Sequence, residues 1–237
     1  MLLSRALRRI GLCVLACAFV ASLAGCAGGA SDSGEDGVAV ESDQATMPAS
    51  EPSADGVIAP GDIPRGREIV EGGGGPVQYT FREEWRRGLV DAQGWRAGAY
   101  LITAVGSYVN NEGVPSSWTL TFIDAPEPDA VLLLEIDPWG NVTDTRELTG
   151  EDVAAHVNEH SAAIPVEVID SDAAVAAGVE ALASAYDIAE TSEPRLGLGY
   201  SDVDGTGPYW TYSVFYSPTA EYLSARIDAL SGEAQLQ

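Results

Sequence analysis

Two histidines and one cysteine are the residues whose type and position could do chemistry in this chain. The histidines, the sequence's only two, stand four apart in His156-Val157-Asn158-Glu159-His160. On an α-helix, positions i and i+4 share a face, so both imidazoles could reach one Zn²⁺ with Glu159 as a base. A helix is predicted over about 151–162, ended by Pro165. A catalytic zinc needs a third protein ligand, which here would have to come from far downstream. The simpler expectation is two solvated histidines on a polar connector helix, with no metal and no cofactor. Zinc binding or metallopeptidase activity through His156 and His160 is the alternative. Asp202-Val203-Asp204-Gly205-Thr206-Gly207 has the look of a calcium loop. It lacks the third acidic position and the distal bidentate glutamate, and is expected to be a glycine-rich turn. No phosphate cradle and no nucleophile-elbow string is present, so no catalytic residue is assigned and the chain is not expected to be an enzyme.

The cysteine sits in a different setting. Arg5, Arg8 and Arg9 make a positive start, Leu12 to Ala21 is apolar, and Leu23-Ala24-Gly25-Cys26 follows. That order marks residues 1–25 as a secretory signal. Its apolar run is shorter than the roughly 20 residues a membrane-spanning helix needs. Leu-Ala-Gly-Cys resembles the lipobox of bacterial lipoproteins. The resemblance implies cleavage before Cys26 and a diacylglycerol thioether on its sulfur. The chain would then be anchored in the lipid bilayer on the extracytoplasmic face; two acyl chains suffice for stable anchoring. Cys13 and Cys17 leave with the signal. Cys26 is then the sole thiol, so the folded part must rely on packing and not on disulfides.

Charge narrows the partners. The formal net charge is −24, and all twelve basic residues are arginine. Phosphate backbones need clustered positive charge, so nucleic acid is not an expected partner. Anionic lipid headgroups are disfavoured for the same reason. Residues 26–76 read as a disordered linker, rich in glycine, serine and proline and without an aromatic residue. Such a stretch cannot bury enough apolar surface to offset its ordering entropy. As a coil it would span roughly 40 Å. Ile69-Val70 is its one pair that could join the folded part.

Beyond Val77 the elements come in a repeating order. In residues 77–148 a helix is predicted from about Ala92 to Val109, capped by Asp91. Leu101, Ile102, Val105, Tyr108 and Val109 lie on one face at three- and four-residue spacing. Trp118–Phe122 alternates as a strand, Val131–Ile136 is a second, Asp137-Pro138-Trp139-Gly140 is a tight turn, and a short strand starts at Val142. Residues 149–165 are the connector. In 166–237, Asp170 or Ser171 caps a helix over about 172–186. A long loop with Pro194, Gly197, Gly199 and Pro208 follows. Strands at Trp210–Tyr216 and Tyr222–Ile227 lead to a turn at Asp228–Gly232. The expected fold is α+β: two tandem units, each a helix packed on a small antiparallel sheet. Trp118 and Trp210 are expected in the core and Trp139 in solvent as a contact residue. Arg82, Arg86 and Arg87 are expected to pair with Glu83 and Glu84.

Ile227-Asp228-Ala229-Leu230-Ser231-Gly232-Glu233-Ala234, and more weakly Ile136-Asp137-Pro138-Trp139-Gly140-Asn141-Val142, resemble the strand-ending pattern of PepSY domains. The resemblance implies a non-catalytic module outside the cell that binds or restrains a peptidase or another envelope protein.

Overall fold

The computed structural model describes residues 57–70, 76–126, 128–201, 203 and 205–237. The signal, Cys26, most of the 26–76 linker, and Asp202 and Asp204 of the calcium-like loop lie outside the described residues. The packed body begins earlier than Val77. Ile63 is buried in the core, and Glu68–Val70 (β1) pairs antiparallel with Val77–Tyr79 (β2).

Helix α1 spans Phe81–Trp95. Phe81, Trp85, Leu89 and Ala92 recur at helical spacing and bury one face, while Glu83 favours the positive end of the helix dipole. The chain turns extended at Arg96. Strands β3 (Tyr100–Ser107), β4 (Ser117–Ile123), β5 (Ala130–Ile136) and β6 (Val142–Thr149) follow. A 3₁₀ turn, Gly150–Ala155, leads on to helix α2, Ser171–Ala183. Strands β7 (Thr191–Gly199), β8 (Tyr209–Tyr216), β9 (Glu221–Asp228) and β10 (Ala234–Leu236) complete the chain.

All eight later strands form one antiparallel sheet, in the order β10-β9-β8-β7-β3-β4-β5-β6. This overturns the expectation of two tandem units with separate small sheets. The seam is the β3–β7 pair, where Ala104 faces Leu198 and Gly106 faces Leu196. The core crosses it too. Phe81 of α1 meets Trp118 of β4 at 5.3 Å and Trp210 of β8 edge-on at 4.9 Å, and the two tryptophans lie 6.2 Å apart. Each such aromatic pair adds about 0.5–1.5 kcal/mol beyond its buried area. Separating the halves would expose this cluster.

Three further corrections concern elements. The helix expected over Ala92–Val109 is the end of α1 followed by β3, and Asp91 lies inside α1 and caps nothing. β3 carries a register shift between Leu101 and Thr103 that buries Leu101 and Ile102 in succession. Beyond it the buried side holds Ala104 and Gly106 while Val105 is exposed, so its larger apolar residues do not alternate as in a regular half-buried strand. The loop expected after α2 contains β7. Its Pro194 sits where the register with β8 shifts between Ser192 and Arg195, with Glu193 at φ +50°. A bulge is where a strand tolerates proline. The connector helix is the short 3₁₀ turn and no α-helix.

The helices meet at their N-termini. Thr80 makes no side-chain cap on its own helix. The Asp170 carboxylate does that work for both. It accepts from the Ser171 N–H at 2.8 Å, the Arg82 N–H at 3.0 Å and the Thr80 hydroxyl. The Ser171 hydroxyl accepts from the Phe81 N–H at 3.0 Å, and the Arg82 guanidinium donates to the Val168 carbonyl. Burial pushes the Asp170 carboxyl above its ordinary range, and these hydrogen bonds pull it back in part.

Candidate functional site

Trp139 is carried on the turn between β5 and β6. The Asp137 carboxylate accepts from the N–H groups of Trp139 at 3.0 Å and Asn141 at 2.9 Å, and Gly140 takes φ +83°. Aspartate and glycine are what a turn of this shape requires. The indole stands 44% exposed. The turn is docked on β2 by the Tyr79 N–H, which donates to the Pro138 carbonyl at 3.0 Å. The Arg87 guanidinium stacks 4.0 Å above the Tyr79 ring and closes over Gly140, where a Cβ would collide with an Arg87 nitrogen. Tyr79, Arg87 and Trp139 thus share one corner held by a rigid turn. Tryptophan, tyrosine and arginine are the side chains that carry most binding energy in protein interfaces.

Glu84 is buried in this same half. It is wholly inaccessible, and neither carboxyl oxygen has a hydrogen-bond partner among the described residues. Burial pushes it up to about 8; Arg87 pulls it down, and Asp137 and Glu83 push it further up. The group is therefore mostly neutral at pH 7. A perturbed carboxyl is often catalytic, but one without accessible surface cannot meet a substrate. Glu84 acts on stability. The expected local ion pairs form between Glu83 and Arg86 at 4.0 Å and between Glu83 and Arg87 at 3.8 Å. Glu84 and Arg82 take no part in them.

The corner has a counterpart after β9. Asp228 accepts from the N–H groups of Leu230 at 3.0 Å and Ser231 at 2.7 Å, which hold its carboxyl below the ordinary range. The Ile169 N–H donates to the Ala229 carbonyl at 2.7 Å, matching Tyr79 and Pro138. Leu230 is exposed where the first turn has Trp139.

The histidines are not brought together by a helix. His156 follows the 3₁₀ turn and is exposed, whereas His160 lies in the next turn, close to Gly205 and 3.7 Å from Glu159. The shared helical face on which a two-histidine zinc site depends is missing. Among the described residues, no group of three or more histidine, cysteine, aspartate or glutamate side chains is arranged to hold a metal ion. A cavity of about 100 Å³ lined by Val179, Leu182, Ile188, Tyr212 and Val214 is smaller than the roughly 300 Å³ at which small-molecule pockets begin.

Trp139 was legible in the sequence because Asp-Pro-Trp-Gly spells a tight turn. Glu84 was missed, since its string Arg82–Arg87 looks solvated. The available signal was Phe81, Trp85 and Gly88 at helical spacing, which sets position 84 on the apolar face.

No protein-family model matches the chain, and no curated protein matches it. Among solved structures it is similar to a presumed lipoprotein from Clostridium difficile 630. The TM-score is 0.41 and the identity 12%, with 63% of this chain and 89% of that chain covered. Among the described residues, no helix is long and apolar enough to cross a membrane.

Proposed function

We propose that this chain is an extracytoplasmic lipoprotein, held in the bilayer by diacylglycerol on Cys26, that binds another envelope protein and catalyses nothing. The Leu-Ala-Gly-Cys string behind an arginine-led apolar segment supports the anchor. The observation that carries the binding role is the Trp139 corner: an exposed indole on a hydrogen-bonded turn, flanked by Arg87 stacked on Tyr79. Preorganised contact groups lose little entropy on binding. The likeness of both strand-ending turns to PepSY domains supports the same role and suggests a peptidase as one class of partner.

Two experiments test it. Cys26→Ala should move the protein out of the membrane fraction or block its maturation; retention in the membrane contradicts the lipid anchor. Crosslinking in living cells should capture a reproducible protein partner. Capture of none would favour a passive surface lipoprotein.

A further inference from the structure

The sheet face opposite the helices is covered unevenly. At one end, Ile102, Ile123, Val131 and Leu133 are buried with Val153 and Val157 of the connector packed against them. Beyond them the face is open. Strand register draws one row of side chains across all eight strands: Gln235, Arg226, Thr211, Gly197, Val105, Thr119, Glu135, Asp144. Its midpoint lies between Gly197 and Val105. Arg226 on β9 and Glu135 on β5 stand equally far from that midpoint, about 12 Å at a strand spacing of about 4.8 Å. Thr211 and Thr119 are likewise equidistant, as are Gln235 and Asp144.

We infer that this open face is the contact between two copies of the chain, stacked sheet on sheet about a twofold axis running along the strands. That rotation turns the second copy over and reverses its row. Arg226 then lies over the partner copy's Glu135, Gln235 over Asp144, and Thr211 over Thr119, each pair occurring twice, as an isologous interface demands. At the centre Val105 meets Gly197. Val105 is 47% exposed although it sits on a central strand, and a Cβ on Gly197 would meet nothing within 4 Å. One is a knob and the other a hole, each on both copies. The charges are ready for such pairing. Arg226 is held in place over the Tyr209 ring at 3.4 Å and by Thr206 at 2.9 Å. Neither Arg226 nor Glu135 makes an ion pair among the described residues. Sheets packed face to face keep their strands within about 30° and lie about 10 Å apart, within reach of an arginine and a glutamate.

Sedimentation equilibrium of the full mature chain, with Cys26→Ser to keep it free of lipid, tests this. The chain should show a concentration-dependent dimer. Gly197→Leu should fill the hole and leave a monomer that melts where the parent melts at concentrations too low for dimer, since the added side chain enters open space. Arg226→Glu or Glu135→Arg alone should weaken the dimer about tenfold or more, and the two together should restore it. A chain that stays monomeric up to about 1 mM would overturn the inference. So would a dimer indifferent to all three changes.

Discussion

Helix α1 carries Glu84 where α2 carries Ala174, and the turn after β5 carries Trp139 where the turn after β9 carries Leu230. Around these differences the two halves are built alike. Gly88 of α1 lies against Leu120 of β4, and Gly178 of α2 against Tyr212 of β8. Asp137 and Asp228 close equivalent turns, and Tyr79 and Ile169 dock on them through equivalent N–H groups. Positions that match serve the frame: close helix–sheet approach, turn closure, docking. Positions that differ are free of that duty. The first half uses them for a buried carboxyl and an exposed indole.

Glu84 offers the largest test of the contrast. Its carboxyl titrates near 8 in the folded chain and near 4.5 when exposed, so between those values the folded state binds the extra proton. Stability is therefore highest below about pH 4.5, as far as this group is concerned, and falls as pH rises toward 8. Against Glu84→Gln, which cannot ionise, the loss should reach on the order of 4 kcal/mol by pH 8. In denaturant titrations of both proteins the gap should be small at pH 4.5 and widen to about 2 kcal/mol at pH 6 and about 4 kcal/mol at pH 8. Parallel curves would mean that Glu84 is hydrated.

The helix junction comes next. Asp170→Ala removes acceptors from both helix N-termini and should cost about 2–4 kcal/mol in denaturant unfolding. Thr80→Ala, at the matching position of α1, keeps the Asp170 carboxylate and should cost about 1–2 kcal/mol. Equal costs would show that each helix is capped separately.

Smaller again is the glycine pair. A Cβ at 178 would lie 2.6 Å from the Tyr212 Cβ, which is fixed to the strand, while at 88 it would meet the end of the Leu120 side chain at 2.9 Å. Gly178→Ala should lower stability by about 1–3 kcal/mol. Gly88→Ala should lie within about 1 kcal/mol of the parent, because alanine's better helix propensity offsets the lighter contact. Thermal melts of the two variants measure the difference.

The same contrast explains what the sequence discloses. Strands β4, β5, β8 and β9 announce themselves by alternation or by short apolar runs between turn residues, and the cap of α2 was narrowed to Asp170 or Ser171, of which Asp170 takes the place. β3 was hidden because its register shift buries Leu101 and Ile102 in succession and its open face carries Val105, a spacing that resembles a helical stripe. β7 was hidden because its Pro194 and glycines look like loop residues. The single sheet was hidden because nothing local records that Ala104 pairs with Leu198. Of the candidate site, Trp139 was legible from its turn. Arg87 and Tyr79 were not, since they reach the corner only once α1 and β2 pack beside β5. His156 and His160 looked chemical only on the assumption of a helix that the chain does not form.

The proposed binding role assigns contact with another protein to the first half's turn and not to its counterpart. A photo-crosslinking amino acid placed at position 139 or at position 230 of the lipid-anchored protein in living cells tests this directly. The prediction is a discrete adduct with another envelope protein from position 139 and none from position 230. Adducts from both positions alike, or from neither, would contradict it.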